Sequence, residues 1–413
     1  MLTVALWLLV NGDQHFATAA SNLTVSVPYE YTYRLPSGFS SNANETFVNS
    51  TTTGNDTIDS LLDAASKAPY IAYDDSFYDI IGRNASEPQL VQQRDSAFAY
   101  EAGVWVPERD EVWFTSDVSD GPRVTPHVSV LNLSTNAVYP LNGTSQPIVD
   151  GNGGYYFQGK VYFATYPDNT TYRGGIISVD ARTLEVETVL NSYFGLSFNG
   201  VDDIAWAQQG NDRYMYFTDL AFPYLAYPTG LPPVQLPATV WRWDPQDGVL
   251  LPVISRNEVN PNGVRVSPDF RTLYVTDDTA TFGPPGPNSP PMGPGAEDWL
   301  GPYVYKYDLD SEMMPVNRRV FALVRQGKAD GIHVDDAGNV WTGEYEGVTV
   351  RNPKGKVIGQ FNSQYFQENK NADGPFIANF ALAGDTFVFL STTRLWTVKL
   401  AKTVVGAGSS IVN

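Results

Sequence analysis

Four short segments of this chain begin with a hard oxygen donor and continue with alternating apolar residues: Glu101-Ala-Gly-Val-Trp, Asp202-Asp-Ile-Ala-Trp, Asn262-Gly-Val-Arg-Val and Asp330-Gly-Ile-His-Val. Carboxylate and amide oxygens, in a chain of 413 residues with no cysteine and three histidines, select a hard cation rather than a zinc or copper site. Several fixed ligands in a flexible cage favour calcium over magnesium, so Glu101, Asp202, Asn262 and Asp330 are the candidate ligands of one Ca2+ ion. Four protein ligands fall short of the roughly six to eight oxygens that calcium takes, and water or a substrate would complete the shell. Any one of the four reads equally well as an Asx-type turn residue at a strand start. Their common place in a repeat is what argues for a site.

That repeat is the element that must position them. From Glu111 onward one pattern recurs in Val112-Trp-Phe-Thr-Ser, Val161-Tyr-Phe-Ala-Thr, Met215-Tyr-Phe-Thr-Asp, Leu273-Tyr-Val-Thr-Asp, Val340-Trp-Thr-Gly-Glu and Phe387-Val-Phe-Leu-Ser. A second strand-like segment follows each, for example Thr239-Val-Trp-Arg-Trp, and several continue through a turn into a third. Glycine (35), proline (29) and aromatic residues (13%) are plentiful, and no long amphipathic helical stripe occurs. The pattern predicts an all-β six-bladed β-propeller of four-stranded antiparallel blades around a central channel, because such sheets bury their faces only by radial stacking. Innermost strands surround the channel, so donors at their starts converge at its mouth. The segment Tyr78 to Gln93 is the expected source of the last blade's outer strand, closing the ring.

Three of the ligand segments resemble the family of senescence marker protein (regucalcin), gluconolactonase and the fungal lactonohydrolases, over about residues 75 to 400. Tyr100-Glu-Ala-Gly-Val-Trp105 is similar to that family's Glu-Gly/Ser-Pro-x-Trp, Pro261-Asn-Gly-Val-Arg-Val-Ser-Pro-Asp269 to its Asn-Gly-Leu-x-x-Ser-x-Asp, and Ala329-Asp-Gly-Ile-His-Val-Asp335 to its Pro-Asp-Gly-x-x-x-Asp. The resemblance implies a calcium-dependent lactonase of the carboxylic ester hydrolase type, with Asp330 as general base. Phe198-Asn-Gly-Val-Asp-Asp203 departs from the family's Phe-Asn-Ser-Pro-Asn-Asp. The register of the other blades assigns the ligand to Asp202, leaving Asn199 and Asp203 as substrate-side or supporting candidates. His333 is a further substrate-side candidate, with packing between blades as its alternative. A metal-bound hydroxide is the alternative nucleophile to water activated by Asp330.

A net charge of −19 and a sequence pI near 4.4 exclude nucleic acid and anionic membrane surfaces as partners. Met1 to Val10 is apolar but too short to span a membrane, and Ala17-Thr-Ala-Ala20 suits signal cleavage. Residues 1–20 are therefore the predicted signal peptide of a secreted protein, against an alternative of a buried strand or an odd start site. Sequons at Asn22, Asn44, Asn49, Asn55, Asn84, Asn132, Asn142 and Asn169 agree with secretory glycosylation. Residues 21–66, rich in Ser, Thr and Asn, are predicted to be a poorly ordered or glycan-coated extension, 67–402 the propeller and 403–413 a tail. The loops Ala221 to Ala238 and Thr279 to Pro302, carrying Phe222, Tyr224, Tyr227 and Trp299, would rim the channel mouth and suit a bulky, weakly polar lactone. No Gly-x-Ser-x-Gly elbow appears, and His127 and His333 are the only histidines beyond the predicted signal, which argues against a serine triad. Phosphotriester or aryl ester hydrolysis on the same cation, and a non-catalytic propeller binding a glycan or protein, are the competing functions.

Overall fold

The computed structural model describes residues 23–117, 128–168, 172–226, 231, 233–256, 258–278, 301–367 and 377–406. Strands whose side chains are buried on both faces dominate it. Glu111–Thr115, Thr239–Asp244 and Val340–Glu344 lie almost wholly out of solvent, as a sheet packed between two neighbours must. The aromatic residues of the repeat fill the gaps between blades: Trp113 stacks on Phe163 of the next blade with centroids 6.5 Å apart, and Phe361 meets Phe387 of the next at 4.3 Å.

These sheets form a six-bladed β-propeller. The first four blades are regular antiparallel sheets whose innermost strands are Glu101–Val106, Gly151–Phe157, Val201–Gln209 and Pro261–Val266. Blade 5 runs outward from Ala329–Val334 to Val357–Asn362, and blade 6 begins with Phe380–Ser391. The innermost strands neighbour one another in ring order, the step from blade 5 to blade 6 being bridged by Gly331 N–H donating to Ala378 O at 2.8 Å.

Two blades depart from the regular plan. Blade 6 is closed by Gln89–Gln93, which pairs antiparallel with Arg394–Val405 in the register Gln93 to Arg394 and Gln89 to Thr397. Chain preceding blade 1 thus completes the last blade. Blade 5 is enlarged to six strands: Tyr70–Ala72 adds antiparallel to Val357–Asn362, and Thr24–Ser26 adds parallel to Tyr70–Ala72.

The N-terminal segment expected to be poorly ordered is therefore built into the fold over its described part, 23–66. Its apolar residues are sparse but correctly spaced. The helix Asp56–Lys67 is capped by Asn55 and buries Ile58, Leu62 and Ala65, one stripe at helical spacing, beside Val25, Val27 and Val48. Asn362, at the end of blade 5, donates to Ala65 O and Ala68 O, satisfying carbonyls at the helix C-terminus. Arg325, on the connection between blades 4 and 5, donates to Ser41 Oγ, and Phe47 N–H donates to Glu346 Oε1 of blade 5, so the segment is hydrogen-bonded to the propeller. Polar composition concealed a small satellite core.

Of the sequon asparagines, Asn22 and Asn169 lie outside the described residues, as do the proposed signal segment, Tyr227, Trp299 and His127. Asn44, Asn49, Asn55, Asn84 and Asn142 are exposed and Asn132 is half-buried. Among the described residues, no helix is long and apolar enough to cross a membrane.

Candidate functional site

The start of each innermost strand owes its geometry to a β-bulge. In five blades the register with the second strand shifts just after the first paired residue, between Glu101 and Val104, Gly151 and Gly154, Val201 and Ile204, Pro261 and Val264, and Ala329 and Ile332. Bulges re-aim side chains where a ladder begins. The second residue at each shift is Ala102, Asn152, Asp202, Asn262 and Asp330. Glu101 is thus one position ahead of the shared register predicted from the sequence. The reason is local: Ala102 (φ 67°) and Gly103 (φ 63°) are both left-handed, a turn of the backbone that the other blades lack at this place.

Glycine follows the donor where two innermost strands come close. A Cβ on Gly263 would meet Asp330 O at 2.3 Å, and one on Gly153 would meet Asp202 O at 2.1 Å. The threonine of the repeat then ties the blades together at this level. Thr115 Oγ1 donates to Asn152 O at 2.9 Å, Thr218 Oγ1 to Asn262 O at 2.5 Å and Thr276 Oγ1 to Asp330 O at 2.9 Å, each reaching the donor residue of the next blade.

Glu101, Asp202, Asn262 and Asp330 are all buried, and each is held by a neighbour that the sequence did not single out. Asn379, which precedes the innermost strand of blade 6, donates from Nδ2 to Glu101 Oε2 at 2.9 Å. Asn152 donates from Nδ2 to Asp202 Oδ1 at 2.6 Å, and Tyr166 OH donates to the same oxygen. Asn262 Nδ2 donates to Asp278 Oδ2 at 3.4 Å, which leaves its amide oxygen as the acceptor end. Lys328 Nζ lies 3.4 Å from Asp330 Oδ2 and 2.9 Å from Asp278 Oδ2. Asn152 and Asn379 extend the ring of polar donors to all six blades.

The electrostatics follow from burial and crowding of like charge. Burial, then repulsion from Asp330, pushes the Glu101 and Asp202 carboxyls well above the usual carboxylate range. Asp330 is pushed up by burial to about 6, a smaller rise because the Lys328 ammonium opposes it. Burial works against the Lys328 charge, but Asp278 and Asp330 outweigh it and hold its pKa above the ordinary lysine value. The donors thus share a desolvated acidic pocket, against which Lys328 sets a cationic side chain.

The three substrate-side candidates are already engaged. Asp203 is buried, lies 3.2 Å from Arg265 Nη1, and accepts the N–H groups of Ile204 and Val264. Arg265 is itself buried and lies over the Tyr155 ring at 4.9 Å. His333 Nε2 is 3.3 Å from Asn379 Oδ1 and its ring packs on Phe380 at 4.7 Å. Burial and the nearby Arg265 hold that imidazole neutral, well below the usual histidine range. Asn199 donates to Asp219 Oδ2 and Leu236 O, fixing the loop beside blade 3. Of the predicted rim, Phe222 is placed 6.2 Å from the ring of Tyr166, hence beside the partner of Asp202.

The donor set suits a hard divalent cation on its chemistry: buried oxygens, mutual repulsion among carboxylates, and a second residue fixing each. Among the described residues, no group of three or more His, Cys, Asp or Glu side chains that could hold a metal ion occurs.

A family model described as the SMP-30/Gluconolactonase/LRE-like region matches residues 297–364, the stretch that carries Lys328 and Asp330. A lactonohydrolase of Aspergillus oryzae is 28% identical over 65% of this chain and 61% of its own length, so the match spans about three fifths of that relative. A second lactonohydrolase of the same organism is 25% identical over 84% of this chain and 85% of its own. Among solved structures, a gluconolactonase from Xanthomonas campestris covers 80% of this chain and 95% of its own with a TM-score of 0.60 at 21% identity. A calcium-binding regucalcin from Agrobacterium tumefaciens covers 78% of this chain and 95% of its own with a TM-score of 0.51 at 14% identity. With the propeller, the bulged strand starts and the matched blade 5 in agreement, the chain is similar to the SMP-30/gluconolactonase/LRE-like family.

Proposed function

We propose that the protein is a calcium-dependent lactonase, an ester hydrolase of the EC 3.1.1 type, acting at the mouth of its channel. The observation that carries this reading is the buried ring of Glu101, Asp202, Asn262 and Asp330, each donor held from one side by another side chain. The similarity to lactonohydrolases and gluconolactonases supports the substrate class. The oxygens of these four residues not engaged by Asn379, Asn152, Tyr166, Asp278 or Lys328 would hold the ion. A bound calcium ion supplies Lewis-acid polarisation of an ester carbonyl.

The chain's own residues do the rest. Asp330 accepts a proton from the attacking water and returns it to the ring oxygen as the C–O bond breaks, giving the hydroxy acid. Lys328 orients the Asp330 carboxylate through Oδ2, and Thr276 fixes its backbone from the neighbouring blade. Asn152 and Tyr166 fix the rotamer of Asp202 as Asn379 fixes that of Glu101. Phe222 beside Tyr166 gives one wall an apolar character, which suits a weakly polar lactone.

The test is hydrolysis of sugar, aliphatic and aromatic lactones before and after chelation, with a fluorophosphate as the competing substrate. Loss of lactone turnover on chelation and its return with calcium are expected. Full activity in a folded, calcium-free protein would sink the metal reading. A linked expectation concerns protons. Carboxyls whose pKa values are raised in the cation-free protein must give up protons to bind the ion, so calcium affinity rises with pH through about 6 and above. Calorimetry in buffers of different ionisation enthalpy reads the released protons directly, and an affinity flat from pH 5 to 8 would contradict it. The exposed sequons support secretion with glycosylation, checked by a glycosidase-sensitive mass shift in material from the culture medium.

A further inference from the structure

Lys328 precedes the innermost strand of blade 5 by one residue, and its side chain is only 10% exposed. Its ammonium donates to Asp278 Oδ2 at 2.9 Å and stands 3.4 Å from Asp330 Oδ2. Asp278 Oδ2 in turn accepts from Asn262 Nδ2 at 3.4 Å. A buried positive charge belonging to the chain is therefore connected to two of the four oxygen donors, one directly and one through a single carboxylate. The Asp203 charge is matched by Arg265, and among the described residues Glu101, Asp202, Asp278 and Asp330 are acidic groups close enough to act on one another or on Lys328.

Two consequences follow from Coulomb's law in a desolvated site. An ammonium touching a ligand carboxylate repels a divalent ion bound to the other side of that carboxylate, which weakens binding by at least an order of magnitude. The same ammonium partly neutralises the pocket when no ion is present, so the donors need not fly apart. We propose that Lys328 is a tethered counter-charge that limits how tightly the channel mouth holds its cation and keeps the mouth assembled without it. The inference rests on the calcium reading above and concerns affinity and cation-free stability, not turnover.

The experiment is calcium titration by calorimetry on chelator-treated wild type, Lys328→Met and Lys328→Arg, with melting of each in calcium and in chelator. Lys328→Met should bind calcium at least tenfold more tightly than wild type, and its melting temperature should fall in chelator and recover with calcium. Lys328→Arg keeps the charge and should titrate and melt like wild type. Equal or weaker binding by Lys328→Met, with wild type binding normally, overturns the inference and leaves the calcium reading standing. No calcium uptake by any of the three overturns both. Uptake by Lys328→Met alone supports the inference in its strongest form, with the ammonium taking the ion's place. If Lys328→Met fails to fold in calcium, Asp278→Asn/Lys328→Met removes the carboxylate left without its partner, and it should bind at least tenfold more tightly than Asp278→Asn alone, the opposite result overturning the proposal.

Discussion

Asp330→Asn should lower kcat for the best lactone by about 10²- to 10⁴-fold while the protein melts as wild type does. The amide keeps the size of the side chain and one oxygen, but it cannot accept a proton from water. A carboxylate serves as a base only when ionised, and burial pushes Asp330 up to about 6, a smaller rise than those of Glu101 and Asp202, so of these three carboxyls it is the one best able to act near neutral pH. Glu101 and Asp202 are pushed higher by burial and by Asp330, and each is held by an Asn side chain, which suits holding a cation better than moving protons. Wild-type kcat should fall on the acid side of its pH profile, and that limb should vanish in the residual activity of Asp330→Asn. A variant retaining a tenth or more of the wild-type rate would assign water activation to another group.

The largest effect on stability is expected at Arg265. Arg265→Leu removes the partner of Asp203 and leaves a buried carboxylate without its counter-charge, a change that costs about 3–5 kcal/mol for ion pairs out of solvent. The guanidinium also donates to Ile204 O and Val264 O, joining blades 3 and 4, so these carbonyls lose a partner too. Adding Asp203→Asn to Arg265→Leu should recover part of the loss, because a neutral amide needs no counter-charge and its oxygen still accepts from Val264 N–H. Denaturant midpoints of the two variants measure this. No recovery in the double variant would place the cost in the hydrogen bonds of Arg265 and not in the charge left on Asp203.

What the sequence revealed and what it hid follow from where the information lies. The six blades were legible because the repeat Trp/Tyr-Phe-Thr recurs at blade spacing, and the four donors because each begins a segment with the same polar-then-apolar order. Asn152 escaped notice because Gly151-Asn-Gly-Gly154 lacks the apolar residues that mark the other starts, whereas Asn379-Phe-Ala-Leu-Ala383 carries the same polar-then-apolar order and could have been found by it. Lys328 sits on the connection from blade 4 to blade 5 and Asp278 just after the second strand of blade 4, and only tertiary structure brings them together, across 50 residues of chain. The threonines were in plain view in most copies of the repeat; their bonds to the next blade's donor could have been suspected from that recurrence. The offset of Glu101 depends on two left-handed residues, of which Ala102 carries no sequence signal for that conformation. The N-terminal segment was hidden by its own composition, its few apolar residues being diluted by serine, threonine and asparagine.

The strand that closes blade 6 also dictates when the molecule can be finished. Gln89–Gln93 is translated some 300 residues ahead of its partner Arg394–Val405. At about 5–20 residues per second, roughly 15–60 s pass on the ribosome during which the first segments have emerged and the ring cannot yet be sealed. Asp330 and Lys328 come late in that interval and Asn379 later still, so the acidic mouth is assembled only near the end of synthesis. Until Arg394–Val405 is made, Gln89–Gln93 has no partner strand in blade 6.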